Sequence, residues 1–179
     1  MKKWTEYTIG ETRIIQEYDP YPDTSYLGEY GNALKPGCII RINKTFYEDV
    51  PDDYDKEDHY IRGEYPYFYP PDNGEKPGSE EYRKYALQDY ENMEDLNNSQ
   101  WTFIILSVRT TITTNTGLTD HIQNSLCGIE DHWDKDSADY KKEVVADLIS
   151  ENIAELEKMG FSHDEIKKST DNPVYPKGL

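Results

Sequence analysis

Basic residues are scarce in this sequence: 19 Lys and Arg stand against 36 Asp and Glu, for a net charge of -17 and an isoelectric point near 4.5. Direct binding to nucleic acid or to an anionic membrane surface draws its affinity from clustered cations, so this balance argues against both. Long apolar runs are missing as well. No stretch approaches 18 apolar residues, and Met1-Lys2-Lys3-Trp4-Thr5-Glu6 has nothing like the apolar segment of a signal peptide, so a cytoplasmic protein without a membrane span is expected. Cysteine is reduced to Cys38 and Cys127, neither in a Cys-x-x-Cys pair. A disulfide framework or zinc knuckle is therefore not expected, and both thiols should be reduced and partly buried. Catalytic signatures are equally thin, with no Gly-x-Gly-x-x-Gly, Walker loop, Gly-x-Ser-x-Gly or His-Glu-x-x-His, and His59, His121, His132 and His163 show no helical pairing. The expectation is a non-enzymatic protein with no catalytic residues, no metal and no cofactor.

What the chain does have is tyrosine. Hydrophobic residues make up only 35% of its 179 residues, but 16 Tyr, 4 Phe and 3 Trp are too many aromatics for a solvating tail. The length fits one acidic domain, set at 1–170 with a tail at 171–179 in which Pro173 and Pro176 mark fraying.

Tyr7-Thr8-Ile9 and Thr12-Arg13-Ile14-Ile15 flank Gly10-Glu11, which predicts an opening hairpin with a type II′ turn. Asp19-Pro20-Tyr21-Pro22-Asp23 forces an extended loop. Cys38 to Phe46 is rich in β-branched residues and reads as a third strand, with Ile40, Ile42 and Phe46 on one side. From 47 to 78 prolines interrupt regular structure. Ser79 then offers an N-cap to a helix at about 79–97, because Tyr82, Tyr85, Ala86, Tyr90, Met93 and Leu96 recur at helical spacing. Gln100 to Thr114 is the strongest strand and the expected centre of the sheet, buried on both faces. Asn115-Thr116-Gly117 turns it into a partner at His121 to Cys127, so that a hairpin spans about 100–127. A long amphipathic helix at about 137–159 ends at Gly160, and Ser162-His163-Asp164-Glu165 matches a capping box for one more helix. The fold class is α+β: helices on a small antiparallel sheet.

Three constellations compete for function. On the long helix Asp139, Glu143, Asp147, Glu151 and Glu155 recur every four residues. Four residues rise ~6 Å along a helix, a spacing of the same order as successive phosphates on a nucleic-acid strand. The alternative is a solvated face in an acidic protein, since such a row drifts around the helix. The second lies in residues 47–98, where 16 Asp or Glu face five Lys or Arg and nine tyrosines gather, among them Tyr65, Tyr67 and Tyr69. Acid with Tyr suits a surface that competes for a basic groove; the alternative is rings covering a small core. The third comprises two possible metal sites, at Asp52 to His59 and at Asp131 to Asp139. Neither fits an EF-hand register, and Asp136 or Ser137 reads more simply as the cap of the following helix.

Ser125-Leu126-Cys127-Gly128-Ile129-Glu130, followed by acids, a Tyr and a long helix, resembles a family of small uncharacterised proteins carried by phages and conjugative elements. Tyr85-Ala86-Leu87-Gln88-Asp89-Tyr90-Glu91, Trp101-Thr102-Phe103 and Asp19 to Tyr30 echo the same family. Cys127 stands where many members have Trp. The resemblance implies a mobile-element accessory protein. Joined to the charge, it gives the leading expectation: an inhibitor that occupies the basic nucleic-acid groove of a host defence protein, such as a CRISPR effector or restriction enzyme, through the acidic row and Tyr65, Tyr67 and Tyr69. Two other readings stand beside it, a metal-dependent enzyme or small-ligand binder using the Asp/His clusters, and a regulatory or assembly protein docking through the Tyr-rich segment.

Overall fold

A computed structural model of the chain describes residues 7–50 and 65–176. In chain order the strands are β1 (Tyr7–Tyr18), β2 (Glu29–Gly31), β3 (Ile39–Ile40), β4 (Thr45–Phe46), β5 (Tyr67–Tyr69), β6 (Thr102–Thr114) and β7 (Thr119–Asp131). The helices are α1 (Glu80–Asn97), α2 (Lys135–Lys158) and α3 (His163–Thr170). The architecture is α+β, with two antiparallel sheets. Where length alone suggests one domain, the contacts divide the chain into two compact units. One is Met1–Pro22 with Trp101–Leu179; the other, Asp23–Gln100, is inserted in its sequence.

The discontinuous unit is built on a sheet of order β1-β6-β7, so β6 is central, as its apolar run requires. Helix α2 lies across one face. Its buried positions Lys141, Val144, Val145, Leu148, Asn152 and Leu156 recur at helical spacing. Val144, Val145 and Leu148 close over Ile14, Leu106 and Val108, and each such side chain contributes ~1.5–3 kcal/mol by leaving water. Asn152 fixes the docking of this face, because its amide donates to the Val108 carbonyl at 2.9 Å and its oxygen accepts from Asn124 at 3.1 Å. The capping box at Ser162 and Glu165 starts α3, which buries Ile166 beside Ile112, Ile122 and Leu156.

Three expectations for this unit are corrected. The opening hairpin is a single strand, because β6 offers a partner along its whole length. Gly10 and Glu11 form a bulge in which two residues oppose Thr111, rather than a turn. The tail does not fray at Val174: its N–H donates to Thr12 at 2.9 Å and its carbonyl accepts from Ile14 at 2.8 Å, covering the outer edge of β1. The cap of α2 is Asp134, not Asp136 or Ser137, since its carboxylate accepts from the Ser137 N–H at 2.7 Å. Ser137 is buried, and its hydroxyl donates to the Glu130 carbonyl.

The inserted unit carries a sheet of order β2-β5-β3-β4 with α1, whose cap is Ser79 as expected. Phe68 is fully buried between the rings of Tyr30 and Tyr90, at centroid distances of 5.5 and 5.4 Å. Cys38 to Phe46 is not one strand. Ile39–Ile40 and Thr45–Phe46 pair antiparallel about a turn in which the Asn43 side chain accepts from the Thr45 N–H, and Ile42 is left exposed. The irregular stretch from 47 to 78 also holds a strand. Pro66 and Pro70 bound β5 without entering it, and β5 pairs with both β2 and β3.

Burial pushes the Tyr82 hydroxyl up to about 12, helped by the nearby Glu48 carboxylate, while the hydroxyl donates to the Gly37 carbonyl at 2.7 Å. Tyr30 and Tyr90 are raised in the same direction, also chiefly by burial. A tyrosine whose folded value lies above the unfolded value of ~10 adds stability below that pH and loses it as pH rises toward the folded value. Urea midpoints should therefore fall between pH 10 and pH 12. Tyr82→Phe should flatten this slope while lowering stability at pH 7 by ~1 kcal/mol for the lost hydrogen bond. An unchanged slope would show that Tyr82 ionises as freely in the folded chain as in the unfolded one.

Candidate interaction surface

The acidic row on α2 is fully displayed: Asp139, Glu143, Asp147, Glu151 and Glu155 are all exposed. They are not equivalent. Asp139 is held by the Lys142 ammonium at 2.9 Å. Glu143, Asp147 and Glu151 line a groove of about 280 Å³ with Ser125, Leu126, Tyr140, Val144 and Leu148. Glu155 does not line it, as the backward drift of a four-residue row on a 3.6-residue helix requires.

The groove exists because of where β7 ends up. In β7, Ile122, Asn124 and Leu126 point toward α2, and Cys127 with Gly128 forms a bulge opposite Ile105. Gly128 takes φ +71° there, and its N–H donates to the Asp19 carboxylate at 3.0 Å. Leu126 keeps 41% of its surface exposed and Tyr140 50%, so the floor is apolar and open. A second hollow of about 430 Å³ continues past Tyr140 and is lined by Glu130, His132, Asp134 and Asp136 among others. No Lys or Arg lines either hollow among the described residues. His132 pairs with Glu130 at 2.8 Å and stacks on Trp101 at 4.7 Å. Chemically the two hollows set carboxylates beside apolar side chains, an arrangement able to receive cationic groups.

Beneath it lies an ion pair that anchors the start of α2. Lys141 donates to Asp131 at 3.1 Å, and both side chains are buried. Asp131 also accepts from the Trp133 N–H and the Ser137 hydroxyl, each at 3.3 Å, and from Gln16 at 3.4 Å.

The three tyrosines belong to the inserted unit and have different roles. Tyr65 is exposed. Tyr67 is 3% exposed and packs with Cys38 and Ile40, so it offers no contact surface and is corrected to a core residue; its place in β5 turns it inward. Tyr69 is half-buried, with its hydroxyl bonded to the backbone of Ala33 and its ring beneath the Lys35 ammonium at 3.5 Å. Of the thiols, Cys38 is buried and pushed up by burial, the reverse of an activated nucleophile, whereas Cys127 is exposed rather than partly buried because the bulge turns it out. Asp131 and Asp134 of the second acidic run are committed to the ion pair and the helix cap. Among the described residues no group of three or more His, Cys, Asp or Glu is placed to hold a metal ion, and the Asp52 to His59 run lies outside the described residues. Likewise, no described helix is long and apolar enough to cross a membrane.

Sequence reasoning found the acids but missed Ser125, Leu126 and Tyr140. A glycine inside a strand pattern, at Gly128, is the signal that could have marked the bulge and the exposed residues beside it. No family model, curated protein or solved structure matches the chain.

Proposed function

We propose that the chain is a non-enzymatic acidic binding protein that occupies the basic nucleic-acid groove of a host defence protein, such as a CRISPR effector or restriction enzyme. The observation that carries this reading is the exposed row on α2, in which Glu143, Asp147 and Glu151 overhang an apolar-floored groove that no Lys or Arg lines among the described residues. Carboxylates ~6 Å apart along a helix present charge at a spacing that a phosphate-binding groove accepts. The motif whose resemblance motivates the mobile-element reading contributes Ser125 and Leu126 to the first hollow and Gly128, Ile129 and Glu130 to the second.

Capture of host proteins on the tagged chain should yield a nucleic-acid enzyme at low salt and lose it at high salt, because exposed charge pairs are screened over ~10 Å at 0.1 M. Changing Glu143, Asp147 and Glu151 together to Gln should weaken that capture at least tenfold. The fold should be unharmed or gain up to ~1–2 kcal/mol, as the four like-charge i, i+4 contacts from Asp139–Glu143 to Glu151–Glu155 are relieved. Capture that survives high salt, or is indifferent to the triple change, would remove the acidic row from the mechanism.

A further inference from the structure

The two outer edges of the β1-β6-β7 sheet are treated differently. That of β1 is covered by the chain itself at Val174, whereas β7 pairs only with β6 among the described residues. An open edge strand is normally guarded by Lys, by Pro or by shortness. β7 has none of these: it runs 13 residues without Lys, Arg or Pro, and its stretch Thr119–Leu126 precedes the bulge. Beside this edge the flank of α2 carries Tyr140, Glu143, Asp147 and Glu151 above the half-exposed Leu126. The helix thus overhangs the place a fourth strand would take.

We infer that β7 accepts an extended segment of a basic partner as a fourth strand, with its main chain on the β7 edge and alternate Lys or Arg side chains under Glu143, Asp147 and Glu151. The inference rests on the acidic-docking reading and specifies its geometry. Period-two alternation puts every second side chain of an added strand on the α2 side, so one row of cations meets one row of carboxylates. Charge complementarity selects this occupant over a second copy, because a self-pair would bring two chains of net charge -17 together along their acidic flanks.

The probe is a decapeptide of alternating Val and Lys, titrated into the full chain at low salt. It is compared with the same peptide N-methylated at every backbone amide, which keeps the charge and removes the donors, and with a Val/Glu peptide. Expected results are slowed hydrogen exchange for amides within Thr119–Leu126, at least tenfold weaker binding of the methylated peptide, and no binding of the Val/Glu peptide. Equal affinity of the two Lys peptides, protection confined to α2, binding of neither Lys peptide, or a micromolar homodimer paired through β7 would each overturn strand addition. The two readings fail separately. A salt-sensitive nuclease captured without β7 protection leaves acidic docking standing and removes the fourth strand. Protection of β7 by the Val/Lys peptide with no nuclease captured does the reverse.

Discussion

Alanine in place of Asp131 should destabilise the unit of β1, β6, β7 and α2 by about 3–5 kcal/mol, a large share of the 5–15 kcal/mol typical of a folded domain. The change leaves the Lys141 ammonium buried without its carboxylate and removes an acceptor from the Trp133 N–H and the Ser137 hydroxyl. Ser137 keeps the Glu130 carbonyl, so part of the loss falls back on an existing bond. Lys141→Met should cost less, because Asp131 retains three neutral donors while the methionine chain refills the apolar path of the lysine stem. The double variant should recover stability relative to Asp131→Ala, since no unpaired ammonium remains. Urea unfolding of the four proteins at pH 7 reads this cycle. A loss below about 1 kcal/mol for Asp131→Ala would mean that water enters and solvates Lys141. By contrast, neutralising Asp139, whose bond to Lys142 lies at the exposed surface, should change stability by ~0–1 kcal/mol.

Gly28→Ala should damage the inserted unit by about 2–6 kcal/mol, through two separable causes. Gly28 sits at φ +96°, a region that costs L residues ~1–3 kcal/mol. An added Cβ would also fall 2.5 Å from the Tyr69 carbonyl oxygen and 2.8 Å from the Phe68 ring. The carbonyl belongs to the β2–β5 ladder and Phe68 is fully buried, so neither can yield without disturbing the sheet or the core, at a further ~1–3 kcal/mol. Gly117→Ala supplies the comparison, because that residue has a similar φ of +83° with nothing within 4 Å of the added Cβ. Amide exchange beside each site should accelerate strongly at Tyr67–Tyr69 in Gly28→Ala and much less at Thr114 and Leu118 in Gly117→Ala. Equal effects would show that conformational strain, and not collision, dominates.

Local signals in the sequence were sufficient wherever local physics decides. The Ser79 and Ser162 caps, the periodicity of Tyr82, Ala86, Tyr90 and Met93, and the apolar run of β6 each determine an element within a few residues. Distant partners decided the rest. Gly10-Glu11 between two β-branched runs has the same chemistry as a hairpin turn, and only the length of β6, some ninety positions away, makes it a bulge. Tyr67-Phe68-Tyr69 looks broken by its prolines until β2 and β3 bracket it. The interaction surface was half legible for the same reason. The spacing of Glu143, Asp147 and Glu151 is written on one helix, but the hollow they overhang depends on the β6–β7 register, on the bulge at Gly128 and on which side of α2 meets Leu126.

The pairing of β1 with β6 across the inserted unit also sets a timetable for synthesis. A ribosome must make residues 19–101 between the two strands, and at about 5–20 residues per second that is a wait on the order of ten seconds. The inserted unit, contiguous in sequence, emerges whole in that interval and can complete its own sheet. Meanwhile β1 stays without its ladder partner, its Ile14 without the cover that Val144 and Leu148 later give, until translation reaches β6 and then α2. The nascent chain is thus most open to misassociation early, while the acidic helix that shields its first strand has yet to be made.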